Sequence, residues 1–393
     1  MVTKNLDIPQ NWNFVKIGDH FTFRNGLNKE KSFFGKGTPI INILDVFNNS
    51  GLTSEQIEGK VTLSNDELRA FGIKKGDVLF ARTSETIEEI GISSVVLEEL
   101  KNTVFSGFLL RARPKTQNFD LNFKKYCFRS SVARKQIVSL SSKTTRALTN
   151  GRLLSKVIIP IPKDLSEQHS ISVVISDTEE LVNQFQTLIE KKKNIKQGVM
   201  QELLTGKRRL EGVDGEWETK QLGKIICIQK GEQLNKSNLT LTDIFPVWNG
   251  GMDPSGFTNK YNQEGNTITI SEGGNSCGFV NFSFKKFWAG GHCYTLNKSK
   301  IDLNKIFLYY LLKNSEKSIM KLRVGSGLPN IQKKRLLQFE ISLPPAKEEQ
   351  NMIAKILSDM DSEIEQLEKK LSKYKMIKEG MMQKLLTGEI RLN

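Results

Sequence analysis

The clearest pattern along the chain is an apolar seam spaced alternately by four and three residues, and it occurs twice. The first run is Ile171, Ile175, Thr178, Val182, Phe185, Ile189, Lys192, Ile195, Val199 and Leu203. The second is Ile353, Leu357, Met360, Ile364, Leu367, Leu371, Tyr374, Ile377, Met381 and Leu385. A heptad seam held this long predicts helices that pack lengthwise. The segments Glu167 to Leu210 and Glu349 to Leu392 align without a gap at a shift of 182 positions. They share Glu-Gln at the start and G-x-M-Q-x-L-L-T-G-x-x-R-L at the end. Pro160, Pro162, Pro344 and Pro345 stand before the two seams, and Gly206 and Gly388 after them, as helix boundaries require. Helices of roughly 38 residues are ~57 Å long at ~1.5 Å per residue. Neither can bury its seam alone, so the two are expected to pair antiparallel; two separate amphipathic helices lying on separate domains are the alternative. Thr178 and Lys192 break the first seam, which predicts local splaying or a surface turned to a partner. Gly198 and Gly380 fall inside the helices at matched positions. A close approach of another helix and a helix weakening near its end both account for them.

The stretches between the helices carry short apolar or period-two runs bounded by Gly and Asn, the pattern of strands in a mixed or mainly antiparallel sheet. They are Ile40–Val46, Val78–Ala81, Ile92–Leu97 and Phe108–Ala112 in the first stretch. In the second they are Ile225–Ile228, Thr267–Ile270, Phe279–Phe282 and Cys293–Leu296. The two stretches also begin alike: Trp12 with Ile17-Gly18 matches Trp217 with Leu222-Gly223. Asp120-Leu121-Asn122 and Asp302-Leu303-Asn304 are N-cap sequences; they open helical segments running to about Ser139 and Lys321, each followed by a basic loop, a short strand and the prolines. The fold class is α+β: two globular α/β lobes separated by two long helices forming an antiparallel coiled coil, with an internal pseudo-two-fold repeat. The boundaries read as lobe one over 1–162, a central helix over 163–211, lobe two over 212–345 and a C-terminal helix over 346–393.

Charge sharpens this division. The net charge is +15, yet residues 163–211 hold 8 basic and 8 acidic side chains and residues 346–393 hold 9 of each. Residues 1–162 hold 24 basic and 15 acidic, and residues 212–345 hold 17 and 11. Two neutral struts alternate with two basic lobes, a sorting that points to a polyanion bound by both lobes. No apolar run is long enough to span a bilayer and no signal peptide opens the chain, so a cytoplasmic protein is expected. The four cysteines show no C-x-x-C spacing, and Cys277, Cys293 and His292 make no complete tetrahedral set, so no metal is expected. No phosphate loop, dinucleotide fingerprint or [DNS]-P-P-[YFW] tetrapeptide occurs, and no catalytic set is read.

The candidate chemistry lies in the basic loops, Ser141–Arg152 and Arg323–Arg335. Lys and Arg neutralise phosphates, whereas Arg, Asn, Ser and Thr also read base edges. Lys143, Thr144, Thr145, Arg146 and Asn150 supply those types in one loop. Arg323, Ser326, Asn330, Lys333, Lys334 and Arg335 do so in the other. A solvated turn between helix and strand stays open for either loop. Arg82, Thr83 and Ser84 after one strand, and Asn275 after another, are further candidates with a structural alternative.

These features together resemble the DNA-specificity subunit of type I restriction-modification enzymes. The resemblance covers the whole chain and is most specific in Pro160–Gln168 with Gln197–Leu210, and in Pro344–Gln350 with Glu379–Leu392. It implies two target-recognition domains, each reading one half of a split double-stranded DNA site. It implies a non-catalytic subunit that recruits two modification subunits and two restriction subunits, with S-adenosylmethionine, ATP and Mg on those partners and no membrane. The heptad spacing assigns Ile171, Ile175, Val182, Phe185, Ile189, Ile353, Leu357, Ile364, Leu367 and Leu371 to the seam of the helix pair. Related readings are the specificity subunit of an enzyme with fused methylation and cleavage, and a basic nucleic-acid scaffold without sequence preference. Lobes at opposite ends of the helix pair would read two unlike half-sites about one DNA turn apart, with helix length setting the gap.

Overall fold

The computed structural model describes residues 8–143, 146–235, 237, 239–325, 327 and 329–392. Two helices of 39 residues, Leu165–Leu203 and Lys347–Leu385, stand where the seams predicted them. The chain divides into two compact units, Met1–Phe185 with Lys370–Asn393, and Gln186–Lys369. Each long helix therefore gives one half to each unit, instead of forming a domain of its own.

In the first unit a five-stranded sheet runs in the order Phe21–Asn25, Leu109–Pro114, Val78–Ala81, Ser93–Val96, Gly51–Leu52. All its pairings are antiparallel except the last. One face carries Val78, Phe80, Leu110 and Ala112 into a core with Ile171 and Ile175 of the first long helix and Leu385 and Leu386 at the end of the second. The other face carries Leu79 and Leu109 into a smaller core with Ile41, Val46 and Phe105. In the second unit the order is Ile226–Lys230, Cys293–Ser299, Thr267–Ser271, Val280–Ser283, all antiparallel. Its core joins Ile268, Ile270 and Leu296 to Phe307, Leu311, Leu203, Ile353 and Leu357.

Four expected elements differ. Ile40–Val46 splits into a strand ending at Ile41 and a helix over Ile43–Asn48, because Asn42 and Asp45 form a capping box in which the Asn42 N–H donates to Asp45 at 2.7 Å. Ile225 ends a short helix, Leu222–Ile225, before the strand begins at Ile226. The predicted helix from Asp120 is broken into Lys124–Cys127 and Ser131–Leu140, and its counterpart into Lys305–Asn314 and Glu316–Met320.

The matched ends of the long helices have matched partners. Glu167 receives Arg391 through two hydrogen bonds at 3.0 Å and Trp12 Nε1 at 3.2 Å. Glu349 receives Arg209 at 2.7 and 2.8 Å. Gln168 accepts from the Asp120 N–H and Gln350 from the Asn304 N–H, fastening each lobe helix to a long helix. About three turns farther on, Glu179 accepts from Lys378 at 2.6 Å and from the Tyr126 hydroxyl at 3.0 Å. Asp361 does the same with Lys196 and the Tyr310 hydroxyl. Thus in each unit the helices run antiparallel. The repeated Glu-Gln and R-L of the sequence are the two ends of that arrangement.

The seam is closed at its ends and looser between them. Ile171, Ile175, Val182, Ile189, Leu203, Ile353, Leu357, Ile364 and Leu385 are buried, while Phe185, Leu367 and Leu371 are half-buried. Phe185 stacks on Tyr374 with ring centroids 5.4 Å apart. Thr178 faces Met381, and Lys192 reaches out to Glu363 at 2.6 Å. Ile195 and Ile377, at matched positions, are 45% and 38% exposed. Nothing lies within 4 Å of where a Cβ would stand at Gly198 or Gly380, so no close helix approach requires either glycine.

Candidate nucleic-acid interface

In the first unit the basic loop is a β-hairpin. Ser142–Lys143 pairs antiparallel with Ala147–Leu148, which pairs in turn with Thr83–Ser84. Two stretches singled out separately in the sequence therefore form one three-stranded sheet. Arg146 is exposed just before the Ala147–Leu148 strand and Arg82 is half-buried just before Thr83–Ser84. Among the described residues neither guanidinium has a side-chain partner. Thr83 is half-buried. The other two candidates are engaged internally: the buried Ser84 hydroxyl donates to Glu89 at 2.8 Å, and Asn150 accepts from the Leu153 N–H at 3.0 Å as a helix cap. The Ser84 hydrogen bond, seconded by Thr86, holds the Glu89 carboxyl below its ordinary pKa. Beside this sheet lies a cleft of about 510 Å³ lined by Thr83, Glu85, Arg146, Phe108 and Leu44 among others. Its exposed Leu44 and Phe108 fall inside apolar runs that the sequence pattern assigned to strands.

The second unit repeats the construction. Val324 and Asn330 exchange backbone hydrogen bonds at 2.8 and 3.0 Å, closing a hairpin whose return strand reaches the Glu272–Gly274 segment. Arg323, Asn330, Lys333, Lys334 and Arg335 are all exposed, as is Asn275. Gly325 takes φ +95 in the turn, a conformation that side chains disfavour. Behind the hairpin, Glu272 accepts from Lys230 at 2.6 Å and Tyr294 at 3.2 Å, with His292 Nδ1 at 3.5 Å. The Tyr294 hydroxyl also lies 2.9 Å from the Ile331 carbonyl. Burial, reinforced by the Glu272 charge, pushes the pKa of Tyr294 up to about 12, so its hydroxyl stays a neutral donor near neutrality. Thr144, Thr145, Ser326 and the Lys143 side chain lie outside the described residues.

Four backbone hydrogen bonds superimpose the two sites. In the first unit they are Ala81 N to Ile92 O, Gly91 N to Ala81 O, Arg82 N to Phe108 O and Thr149 N to Arg82 O. In the second they are Ser271 N to Phe279 O, Gly278 N to Ser271 O, Glu272 N to His292 O and Ile331 N to Glu272 O. Arg82 and Glu272 thus occupy one structural position, as do Phe108 and His292. The frame is the same and the side chains differ.

Gly274–Gly278 spells G-x-S-x-G, a string associated with serine hydrolases. Here the Ser276 hydroxyl donates to the Gly250 carbonyl and the segment turns into a strand, so the strand–turn–helix setting of a nucleophile is missing. Among the described residues no His, Cys, Asp and Glu group is arranged to hold a metal ion. Cys277 and Cys293 are buried, and burial raises both thiol pKa values, the latter to about 12. No described helix is long and apolar enough to cross a membrane.

Residues 9–197 and again 214–373 match the type I restriction modification DNA specificity domain. The chain belongs to that family. Two copies of one specificity domain account for the duplicated hairpin frame and for its differing side chains. A putative type I specificity subunit of Mycoplasma pneumoniae is 33% identical over 47% of this chain and 49% of its own length. A second, from Mycoplasma genitalium, is 36% identical over 38% of this chain and 39% of its own length. The chain thus spans half or less of the length of these two curated relatives. A putative type I restriction enzyme specificity subunit of Methanocaldococcus jannaschii is 26% identical over 98% of this chain and 95% of its own length. Among solved structures, a type I restriction-modification S subunit from M. genitalium superimposes with a TM-score of 0.68, covering 98% of this chain and 97% of that one at 19% identity. At that identity the likeness bears on the fold.

Proposed function

We propose that this chain is the non-catalytic specificity subunit of a type I restriction-modification complex. In this reading each specificity domain reads one half of a split, asymmetric site in duplex DNA. The observation that carries it is the duplicated hairpin frame. One backbone construction projects Arg146 with Arg82 in one unit, and Arg323, Asn330 and Lys333 to Arg335 in the other. Arg and Lys at a projecting edge neutralise phosphates and supply affinity. Arg and Asn also pair bidentately with guanine and adenine edges. Because the two sets differ, the two half-sites are unlike and the whole site is not palindromic.

The chemistry is assigned to partners. Modification subunits would methylate with S-adenosylmethionine, and restriction subunits would use ATP and Mg, two of each around one specificity subunit. Mapping methylated bases in the source cell, with the gene present and deleted, tests this. The proposal expects a bipartite motif that loses its methylation on deletion and regains it on complementation. Unchanged methylation throughout would refute it.

A further inference from the structure

The two hairpins share a backbone frame but are not held alike. In the second unit the Tyr294 hydroxyl lies between the hairpin carbonyl of Ile331, at 2.9 Å, and the Glu272 carboxylate, at 3.2 Å. Tyr294 is buried, and Glu272 is fixed from the far side by Lys230 at 2.6 Å. The Glu272 carbonyl receives the Ile331 N–H at 2.8 Å, so one residue is tied to the hairpin by backbone and side chain together. In the first unit the strand register puts Leu110 where Tyr294 stands, because Leu109 pairs with Ala81 as Cys293 pairs with Ser271. Arg82 stands where Glu272 does. Leucine cannot donate, and the Arg82 guanidinium has no side-chain partner among the described residues.

We propose that Tyr294 and Glu272 are positioning residues that set the orientation of the second domain's hairpin and so its base selectivity, and that the first domain works without such a clamp. This rests on the reading that the hairpins contact DNA. Base readout demands that donors and acceptors meet a base edge within a fraction of an ångström, whereas phosphate contact tolerates a shifted hairpin. Loss of the clamp should therefore blur one half of the recognised sequence and spare general affinity. The first domain places Arg82 at the vacated position, where its charge remains available to the duplex.

The test is selection from a pool of randomised duplexes by the full chain, with sequencing of the bound fraction. Wild-type chain, Tyr294→Phe and Glu272→Gln are compared, with a thermal melt of each. Both variants keep the side-chain shape, and Glu272→Gln stands in should Tyr294→Phe fold poorly. In the second half-site, preference for the selected bases should fall about ten-fold, roughly the value of one lost hydrogen bond, while the first half-site stays unchanged. Total duplex affinity should hold within about three-fold, since the phosphate contacts remain. A lowered melting point with both half-sites intact would show the clamp to be merely structural and overturn the proposal. Equal blurring of both halves would overturn it too. If wild-type chain selected no sequence, the specificity reading itself would fail and this inference with it.

Discussion

At the scale of single residues, the sequence repeat is a set of ion pairs whose partners lie far apart along the chain. Glu349 is 1% exposed and its described side-chain partner is Arg209, whereas Glu167, 6% exposed, has both Arg391 and Trp12. Removing the cation from a buried pair leaves an uncompensated charge and costs about 3–5 kcal/mol. Arg209→Ala should approach that range and Arg391→Ala should fall short of it, because the Trp12 N–H still reaches Glu167. Chemical denaturation of the two variants decides this, and equal losses would show that the indole contributes nothing. Glu179 gives a pH dependence. Burial alone would raise its pKa, but Lys378, Lys125 and the Tyr126 hydroxyl outweigh burial and leave it below its ordinary 4.5. A depressed carboxyl stabilises the fold above its unfolded pKa, and that stabilisation is lost as pH falls through the folded value. The melting temperature should therefore drop below about pH 4.5, and Glu179→Gln should melt lower at neutrality but lose less on acidification. Glu167, Arg209, Glu349 and Arg391 were visible in the sequence as repeated letters. Their partners were not, since nothing local links Glu167 to Arg391 or Tyr294 to Ile331.

At the scale of elements, the long helices were legible because a heptad seam is a local, periodic signal. Their starts fall within two residues of the bounds read from the sequence, while their ends at Leu203 and Leu385 fall eight residues short. Where the seam is tight was not legible. Leu357 is fully buried in the second unit's core, whereas Leu367 is half-buried. Leu357→Asp should cost about 3 kcal/mol or more and Leu367→Asp clearly less, read by urea denaturation. Gly198 and Gly380 sit inside continuous helices with open space where a Cβ would go. Alanine at either should stabilise by about 0.5–1 kcal/mol, and a destabilised variant would reveal a contact that only glycine permits. The strands were found where apolar runs were short and bounded, as at Val78–Ala81. Ile40–Val46 misled because the Asn42–Asp45 capping box starts a helix inside an apolar run. The hairpins were recognised only as basic loops. Their pairing with Thr83–Ser84 and Glu272–Gly274 joins residues more than fifty positions apart, and no local pattern encodes that.

At the scale of the whole molecule, the excess positive charge lies outside the long-helix segments, in the stretches that build the two hairpin sites. DNA affinity should weaken linearly on a log–log scale with salt, as counterion release requires, and a salt-independent affinity would argue against duplex DNA as ligand. Purified chain alone should show no methylation, nuclease or ATPase activity. The central claim is that each specificity domain reads its own half of the site. Exchanging residues 12–162 for the corresponding domain of another specificity subunit tests it most directly, with the recognised sequence read by selection from randomised duplexes. The account predicts that one half-site is replaced and the other is kept base for base. A change in both halves, or in neither, would contradict it.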